Sequence, residues 1–136
     1  MKKLFYFLLA LLASQQLMAQ TKTWNGSVDT DWYNGANWTL SGGATAGAPT
    51  ATDNVIINIA SPDPIIASGN AVAKSITLDV VGGALTINVG ATLTVSSNTG
   101  DVISVSRGTL TNNGSLTVTL TNGSFVSGQD TLALTN

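Results

Sequence analysis

The residues best suited to chemistry lie in one aromatic segment near the amino terminus. Indole and phenol rings can stack on sugar rings, and neighbouring carboxylate and amide groups can hydrogen-bond to sugar hydroxyls. The segment therefore offers a possible carbohydrate platform made of Trp24, Asp31, Trp32, Tyr33, Asn37 and Trp38. The same rings can instead pack in a core, and we favour buried packing because the end of a repetitive β-fold has to be covered.

The same segment also contains spaced oxygen ligands at Asp29 and Asp31, followed by Asn34 and Gly35. This order superficially resembles a calcium loop. It lacks the glutamate at the twelfth position and the carboxylate or amide at the fifth. We therefore expect both aspartates to cap turns, and we predict no cofactor, with calcium as the alternative.

Catalytic side chains are scarce in this chain. It contains no His and no Cys, and all seven of its acidic residues are Asp. A hydrolase or lyase site would need clustered acids, or an acid beside a base, and the candidates are Lys74, Asp79, Asp101 and Arg107. These few groups predict no catalytic site and no enzyme activity.

The first 19 residues have the pattern of a secretory signal peptide. Lys2 and Lys3 precede an apolar run at residues 4–13, and small or polar residues follow up to Ala19. The run is too short for a transmembrane helix, which needs about 20 apolar residues. We predict cleavage after Ala19 and no membrane span in the mature chain. The remaining residues carry three basic groups and seven aspartates, which argues against a nucleic-acid partner.

From residue 75 to residue 135, short alternations of aliphatic and hydroxyl residues recur, separated by Gly and Asn. Each alternation is typical of a β-strand with one buried face. An antiparallel β-sandwich and a parallel β-helix both accept such strands. We favour the β-helix, an all-β solenoid with about three strands and 24 residues per turn and about three to four turns.

The solenoid interpretation assigns inward positions to one set of aliphatic residues. It also divides the chain into a signal peptide (1–19), a Trp-rich cap with a Gly-rich loop (20–52) and solenoid repeats (53–136) that are open at their carboxyl-terminal end. The expected inward residues are Ile76, Leu78, Leu85, Ile87, Leu93, Val95, Ile103, Val105, Leu110, Leu116, Val118, Leu120, Leu132 and Leu134.

Several motifs resemble the amino-terminal module of adhesin-like surface proteins of Bacteroidetes-type bacteria. They are Trp24-Asn25-Gly26, Asp31-Trp32, Asn37-Trp38, a Gly-rich loop with Pro49, Asp53-Asn54-Val55-Ile56-Ile57, Ala73-Lys74-Ser75-Ile76-Thr77 and Ala91-Thr92-Leu93-Thr94-Val95. The resemblance implies a right-handed parallel β-helix, export by the type IX route, and a location outside the cell or on the outer-membrane surface. Asp130-Thr131-Leu132 resembles the O-glycosylation signal of the same bacteria, which implies modification at Thr131.

These observations lead to two functional hypotheses. The first is a secreted or surface-bound structural or adhesive module without catalytic activity, whose partners are surface polysaccharides, further solenoid repeats or a second copy at the open end. The alternative is a carbohydrate-binding module that uses the cluster of Trp24, Trp32 and Trp38.

Overall fold

The computed structural model describes residues 19–98, 100, 102–122, 126–127 and 132–134. This part of the chain is all-β, and its helical content is one short 3-10 helix, Gly35–Asn37. The predicted all-β class is thus confirmed. The strands are β1 (Thr21–Trp24), β2 (Trp38–Leu40), β3 (Asn54–Ile57), β4 (Ile65–Ile66), β5 (Asn70–Ala73), β6 (Ser75–Ile87), β7 (Thr92–Ser97), β8 (Ile103–Asn112), β9 (Ser115–Leu120), β10 (Val126–Ser127) and β11 (Leu132–Leu134).

The strands form two sheets, of which the first is mixed and the second is parallel. One sheet has the order β10-β8-β6-β3-β1-β2, with β4 also on β6 and β11 also on β8, and the other has the order β5-β7-β9. Among the named strand pairs, β1 with β2 is antiparallel and the other eight pairs are parallel. An antiparallel sandwich, the alternative fold, is therefore wrong for the described strands.

Strand segments that are far apart in sequence align in register. Val55 lies beside Ile76, Ile76 beside Ile103, and Ile103 beside Val126. In the second sheet Ala71 lies beside Leu93, and Leu93 lies beside Leu116. We call each set of aligned positions a column. Similar residues thus recur along each column, so that side chains of like polarity stack on one another.

The alternation within each strand explains which residues face the core. In β7, for example, Leu93, Val95 and Ser97 are buried while Thr92, Thr94 and Ser96 are half-exposed. Nine of the expected inward residues, from Ile76 to Leu110, are buried. Leu116, Val118 and Leu120 are only half-buried, and the side chains at 132 and 134 lie outside the described part.

The strands differ from the sequence prediction in length and number. The alternation at residues 75–78 and most of that at residues 85–89 belong to one long strand, β6, whose register is interrupted between Leu78 and Ala84. Strand β5 was not predicted, because its inward residues Ala71 and Ala73 are small and weak strand formers. They nevertheless lie in the same apolar core as the large aliphatic residues.

Some predictions fall on residues outside the described part. Residues 1–18 of the predicted signal peptide (1–19) lie outside it, as do the predicted glycosylation site at Thr131 and the candidate acid Asp101. Within the described residues, helices of the length and apolar character needed to cross a membrane do not occur.

Candidate functional site

The three tryptophans form a packed cluster at the amino-terminal end of the strand columns. Trp38 contacts Trp24 and Trp32 edge to face, with both centroid distances at 4.9 Å and interplanar angles of 72° and 75°. Trp24 Nε1 donates to Pro62 O at 2.7 Å, and Trp38 Nε1 donates to Trp32 O at 2.8 Å. All three side chains are 0% exposed. The exposed platform for sugar stacking is therefore wrong, because no indole face reaches solvent, and the preference for buried packing is confirmed.

The Trp-rich segment lies beside the first strand of each column at the amino-terminal end of the fold. Strand β1 pairs in parallel with β3. Further along, Trp32 N donates to Ile65 O in β4 at 3.1 Å, and Ile65 N donates to Thr30 O at 2.7 Å. The Tyr33 hydroxyl lies close to Gly69, just before β5. The cap thus reaches all three strands that follow it.

Asn37 is the polar centre of the cap and is 0% exposed. Its Oδ1 accepts hydrogen bonds from the backbone N–H groups of Val28 and Asp29 at 3.0 and 3.2 Å. Its Nδ2 donates to Asp29 Oδ1 at 2.5 Å and to Asp31 O at 3.1 Å. Each of these bonds ties a turn to the buried amide, so Asn37 fixes the course of the chain around Trp32.

The two aspartates of the calcium-like segment serve as hydrogen-bond acceptors within turns, as expected. Asp29 Oδ1 accepts from Asp31 N, and its Oδ2 accepts from Asn34 Nδ2 at 2.8 Å. Asp31 Oδ1 accepts from Tyr33 N at 2.9 Å. Hydrogen bonds from Asn34, Asn37 and the Asp31 backbone lower the pKa of Asp29. In the described part of the chain, no three acidic, His or Cys side chains converge as a metal site.

Asp31 and Tyr33 are exposed, in contrast to the three indoles. Tyr33 is 40% exposed, while Asn37, the other polar member of the predicted platform, is buried. Burial and the negative charge of Asp31 raise the pKa of Tyr33. The six residues of the predicted platform are therefore close in space but form a packed cap, not a shared binding surface.

A buried ion pair joins β1 to the residue that precedes β3. Lys22 Nζ is 3.1 Å from Asp53 Oδ2, and both side chains are 5% exposed. Lys22 Nζ also donates to Ala48 O at 2.7 Å and to Gly47 O at 3.3 Å, at the end of the Gly-rich loop. Asp53 Oδ2 accepts from the backbone N and Oγ1 of Thr50. We call this arrangement the Lys22–Asp53 latch, because it fastens the loop to β1 and β3.

The carboxylate of the latch is held in its charged form. Burial raises the pKa of Asp53, but hydrogen bonds from Thr50 and Lys22 and the positive charge of Lys22 outweigh that effect. The pKa of Asp53 is therefore lowered. Sequence reasoning missed this site. The signal that could have found it is Lys22, a charged residue at an inward position two residues before Trp24 in a period-two strand.

A second polar feature is an open cleft of about 440 Å³ at the corner where the columns of the second sheet end. Lys74 is the charged residue of its lining. The other lining residues are mostly hydroxyl or amide residues, namely Thr52, Ser96, Ser97, Asn98, Thr119 and Thr121, together with Ala19 and Ala51. In the described residues, Lys74 has no carboxylate within ion-pair distance. We call this feature the Lys74 cleft.

Two of the other candidate catalytic residues, Asp79 and Arg107, are not part of the cleft lining. Arg107 Nε contacts Asp79 Oδ1 at 2.8 Å across β8 and β6, and Ser106 Oγ donates to the same oxygen at 2.7 Å. Both members of this ion pair are about half-exposed. The hydrogen bonds from Arg107 and Ser106 lower the pKa of Asp79. The pair joins neighbouring layers on the surface and is separate from Lys74.

Comparison with known proteins places the chain in a family without giving it an activity. No curated protein and no solved structure matches the chain significantly. The sequence model of one family matches residues 23–132, a segment that includes the three tryptophans, Asp53 of the latch and nearly all of the described strands. The chain therefore belongs to the family described as Domain of unknown function (DUF8693).

Proposed function

We propose that the chain is a structural module displayed outside a bacterial cell, built as a capped parallel β-helix of the right-handed kind that the resemblance implies. The observation that carries this proposal is the in-register parallel pairing of β3, β6, β8 and β10, with β1 of the cap at the end of the same sheet. The proposal includes no catalytic step and no cofactor.

The module acts mechanically. Neighbouring parallel strands lie about 4.8 Å apart, so the cap and four layers form a stack about 24 Å high. Each layer is hydrogen-bonded to the layers beside it, and in such repeats stability is a sum of layer and interface terms. The tryptophan cap protects the first layer from solvent and from unwanted strand pairing. Such a stack would serve as a stiff base for loops and for neighbouring domains.

The other end of the second sheet supports association with a further layer. In β9, Leu116, Val118 and Leu120 are half-buried, whereas Leu93 and Val95 in β7 are buried. A further solenoid repeat or a second copy that paired with β9 would cover these three side chains. This contact would cover apolar side chains at one end of the stack, as the tryptophan cap does at the other end.

The adhesive part of the proposal is assigned to the Lys74 cleft. With Ala19 in place its volume is about 440 Å³, within the range of small-ligand sites, roughly 300 to 1,000 Å³. The proposed cleavage removes Ala19 and leaves the other eight lining residues, Lys74 included. Lys74 can pair with a carboxylate, and the surrounding hydroxyl and amide groups can hydrogen-bond to sugar hydroxyls. A polysaccharide that contains uronic acids has both groups, and we assign this ligand class to the cleft.

Export and surface display are tested in the source cells. Intact cells are treated with proteinase K, and the protein is followed with an antibody against residues 53–122. We expect digestion without cell lysis and a mature chain that lacks residues 1–19. Protection until the cells are lysed would contradict surface display, and a cytoplasmic protein treated in parallel controls for leakage.

The ligand assignment is tested by calorimetry with oligogalacturonate and, as a neutral comparison, malto-oligosaccharide. We expect binding of the acidic sugar alone, with at least a tenfold loss in Lys74→Gln, which removes the charge. Arg107→Gln is the matched control, because it removes a half-exposed cation that is not part of the cleft lining. Equal binding by wild type and Lys74→Gln, or equal loss in both variants, would contradict the assignment.

A further inference from the structure

The Lys22–Asp53 latch has a second oxygen that faces the predicted cleavage site. The backbone N of Gln20 lies 3.3 Å from Asp53 Oδ1, while Oδ2 of the same carboxylate contacts Lys22 and Thr50. The carbonyl oxygen of Gln20 accepts from Asn54 N at 2.8 Å. Residue 20 is therefore held on both sides of its Cα, next to Asp53, a residue that is 3% exposed.

The peptide bond before Gln20 is accessible in the same structure. Ala19 and Gln20 are both exposed, in contrast to Lys22 and Trp24, which are buried. Removal of the leader adds water across the bond between Ala19 and Gln20, which leaves a carboxylate on Ala19 and an amine on Gln20. Near neutral pH this amine binds a proton and becomes an ammonium group. The neutral N–H donor at Asp53 is thus replaced by a cation.

We propose that Asp53 is the binding site for the free α-amino group of Gln20 in the mature chain, so that removal of the leader adds a second ion pair to the latch. This inference rests on the proposed export of the chain. An ion pair of this kind is a charge-assisted hydrogen bond, which is shorter and stronger than the bond from a neutral amide. Processing therefore tightens the connection between β1 and the first layer at the point where the leader is lost.

The same contact protects the new amino terminus chemically. An amino-terminal glutamine can cyclise when its α-amine attacks its own side-chain carbonyl carbon and ammonia leaves. An ammonium group has no free electron pair for this attack. Because Asp53 favours the protonated amine, cyclisation of Gln20 is slowed in the folded chain.

The stability of two purified chains tests the inference without reference to export. One chain begins at Gln20, and the matched control begins at Ala19, which moves the charged amine one residue away from Asp53. We expect a higher Tm for the chain that begins at Gln20, with the difference reduced by high salt and abolished in an Asp53→Asn background. Equal Tm values for the two wild-type chains would overturn the inference.

A second measurement on the wild-type chain avoids dependence on the folding of Asp53→Asn. The rate of acylation of the α-amine at neutral pH is compared between folded and urea-unfolded protein that begins at Gln20. Since a rise of one unit in the pKa of the amine lowers its reactive fraction about tenfold, we expect acylation about tenfold slower in the folded chain. Loss of one ammonia, read from the intact mass, should slow in parallel. Equal rates in both states would contradict the proposed contact.

The two proposals fail in distinguishable ways. Amino-terminal sequencing of protein from the source cells shows where the leader is removed. A chain that stays inside the cell or begins elsewhere would contradict the proposed export and cleavage site, whereas the measurements on purified chains would still report whether Asp53 binds the amine.

Discussion

At the residue scale, removal of one partner of the Lys22–Asp53 latch should destabilise the fold more than removal of an exposed polar contact. Both side chains are buried, and removal of one partner leaves the other charge without compensation in the protein interior. We expect Lys22→Met to lower the free energy of unfolding by about 3 to 5 kcal/mol. Urea unfolding followed by tryptophan fluorescence measures the change.

The control for this variant is the exposed ion pair between Arg107 and Asp79. Arg107→Gln breaks a contact of 2.8 Å with Asp79, but solvent can hydrate both groups after the change. We expect little effect on unfolding. Similar losses in Lys22→Met and Arg107→Gln would show that burial of the latch is not the cause of its importance.

The latch also predicts the direction of the pH dependence. The pKa of Asp53 is lower in the folded chain than its ordinary value of 3.8, so the folded state binds its proton less readily than the unfolded state. Its contribution to stability is full above the unfolded pKa and is lost as the pH falls through the folded pKa. Unfolding free energies should therefore decrease below about pH 4. The decrease should be smaller in Asp53→Asn, and an unchanged acid profile in that variant would contradict the assignment.

Burial of the indoles gives a separate prediction about the cap. Trp38 contacts both other tryptophans and is 0% exposed, so Trp38→Ala removes a large buried side chain. We expect a loss of about 3 to 5 kcal/mol and, in the wild type, tryptophan emission that is blue-shifted and poorly quenched by iodide. Efficient quenching in the folded wild type would show that the rings face solvent after all.

Only part of this arrangement of side chains could be predicted from the residue types. The sequence indicated that the tryptophans pack and that Asp29 and Asp31 cap turns. It did not indicate that Asn37 is the buried polar centre, because an Asn near Gly is more typical of an exposed turn. Nor did it pair Lys22 with Asp53, since that contact depends on how β1 lies beside the start of β3.

At the scale of elements, the corners between strands limit which side chains the layers tolerate. A Cβ atom at Gly114 would collide with the carbonyl oxygens of Asn88 and Ala91, which belong to the preceding layer. Gly82 has a positive φ of 77° but has no atom within 4 Å of an added Cβ. We expect Gly114→Ala to destabilise the chain more than Gly82→Ala, whose cost is conformational strain alone. Thermal unfolding monitored by circular dichroism provides the comparison, and the reverse order would contradict the close layer contact.

Strands with a strong apolar–polar alternation could be predicted from the sequence, but the bends within the long strands could not. The aliphatic and hydroxyl pattern correctly located β7 and β9, because period two is the repeat of a strand. The same pattern divided β6 and β8 at Gly82 and Gly108, although the chain continues through both bends as strand. Glycine at these positions marks a bend in a continuous strand rather than its end, a distinction that depends on contacts with the neighbouring layer.

At the scale of the whole molecule, the cap and the layers behave as one structural unit. The match to the family covers both, from residue 23 to residue 132, and β1 belongs to the same sheet as β3, β6 and β8. The proposed function depends on this continuity, because a stiff stack requires that each layer be bonded to the next. The proposed function therefore depends most directly on the parallel register between layers.

The absence of cysteine from the chain allows a direct test of that register. Thr94 and Thr117 are partners in neighbouring parallel strands, at positions where half-exposed and exposed side chains alternate with apolar ones. Thr94→Cys with Thr117→Cys should form a disulfide under mild oxidation, because aligned Cα atoms on adjacent strands lie within the usual range of about 4.4 to 6.8 Å. The matched control, Thr86→Cys with Thr94→Cys, would instead be brought together by a hairpin around Gly90. We expect a disulfide in the first pair and free thiols in the second, read from the intact mass. The opposite result would contradict the parallel stack.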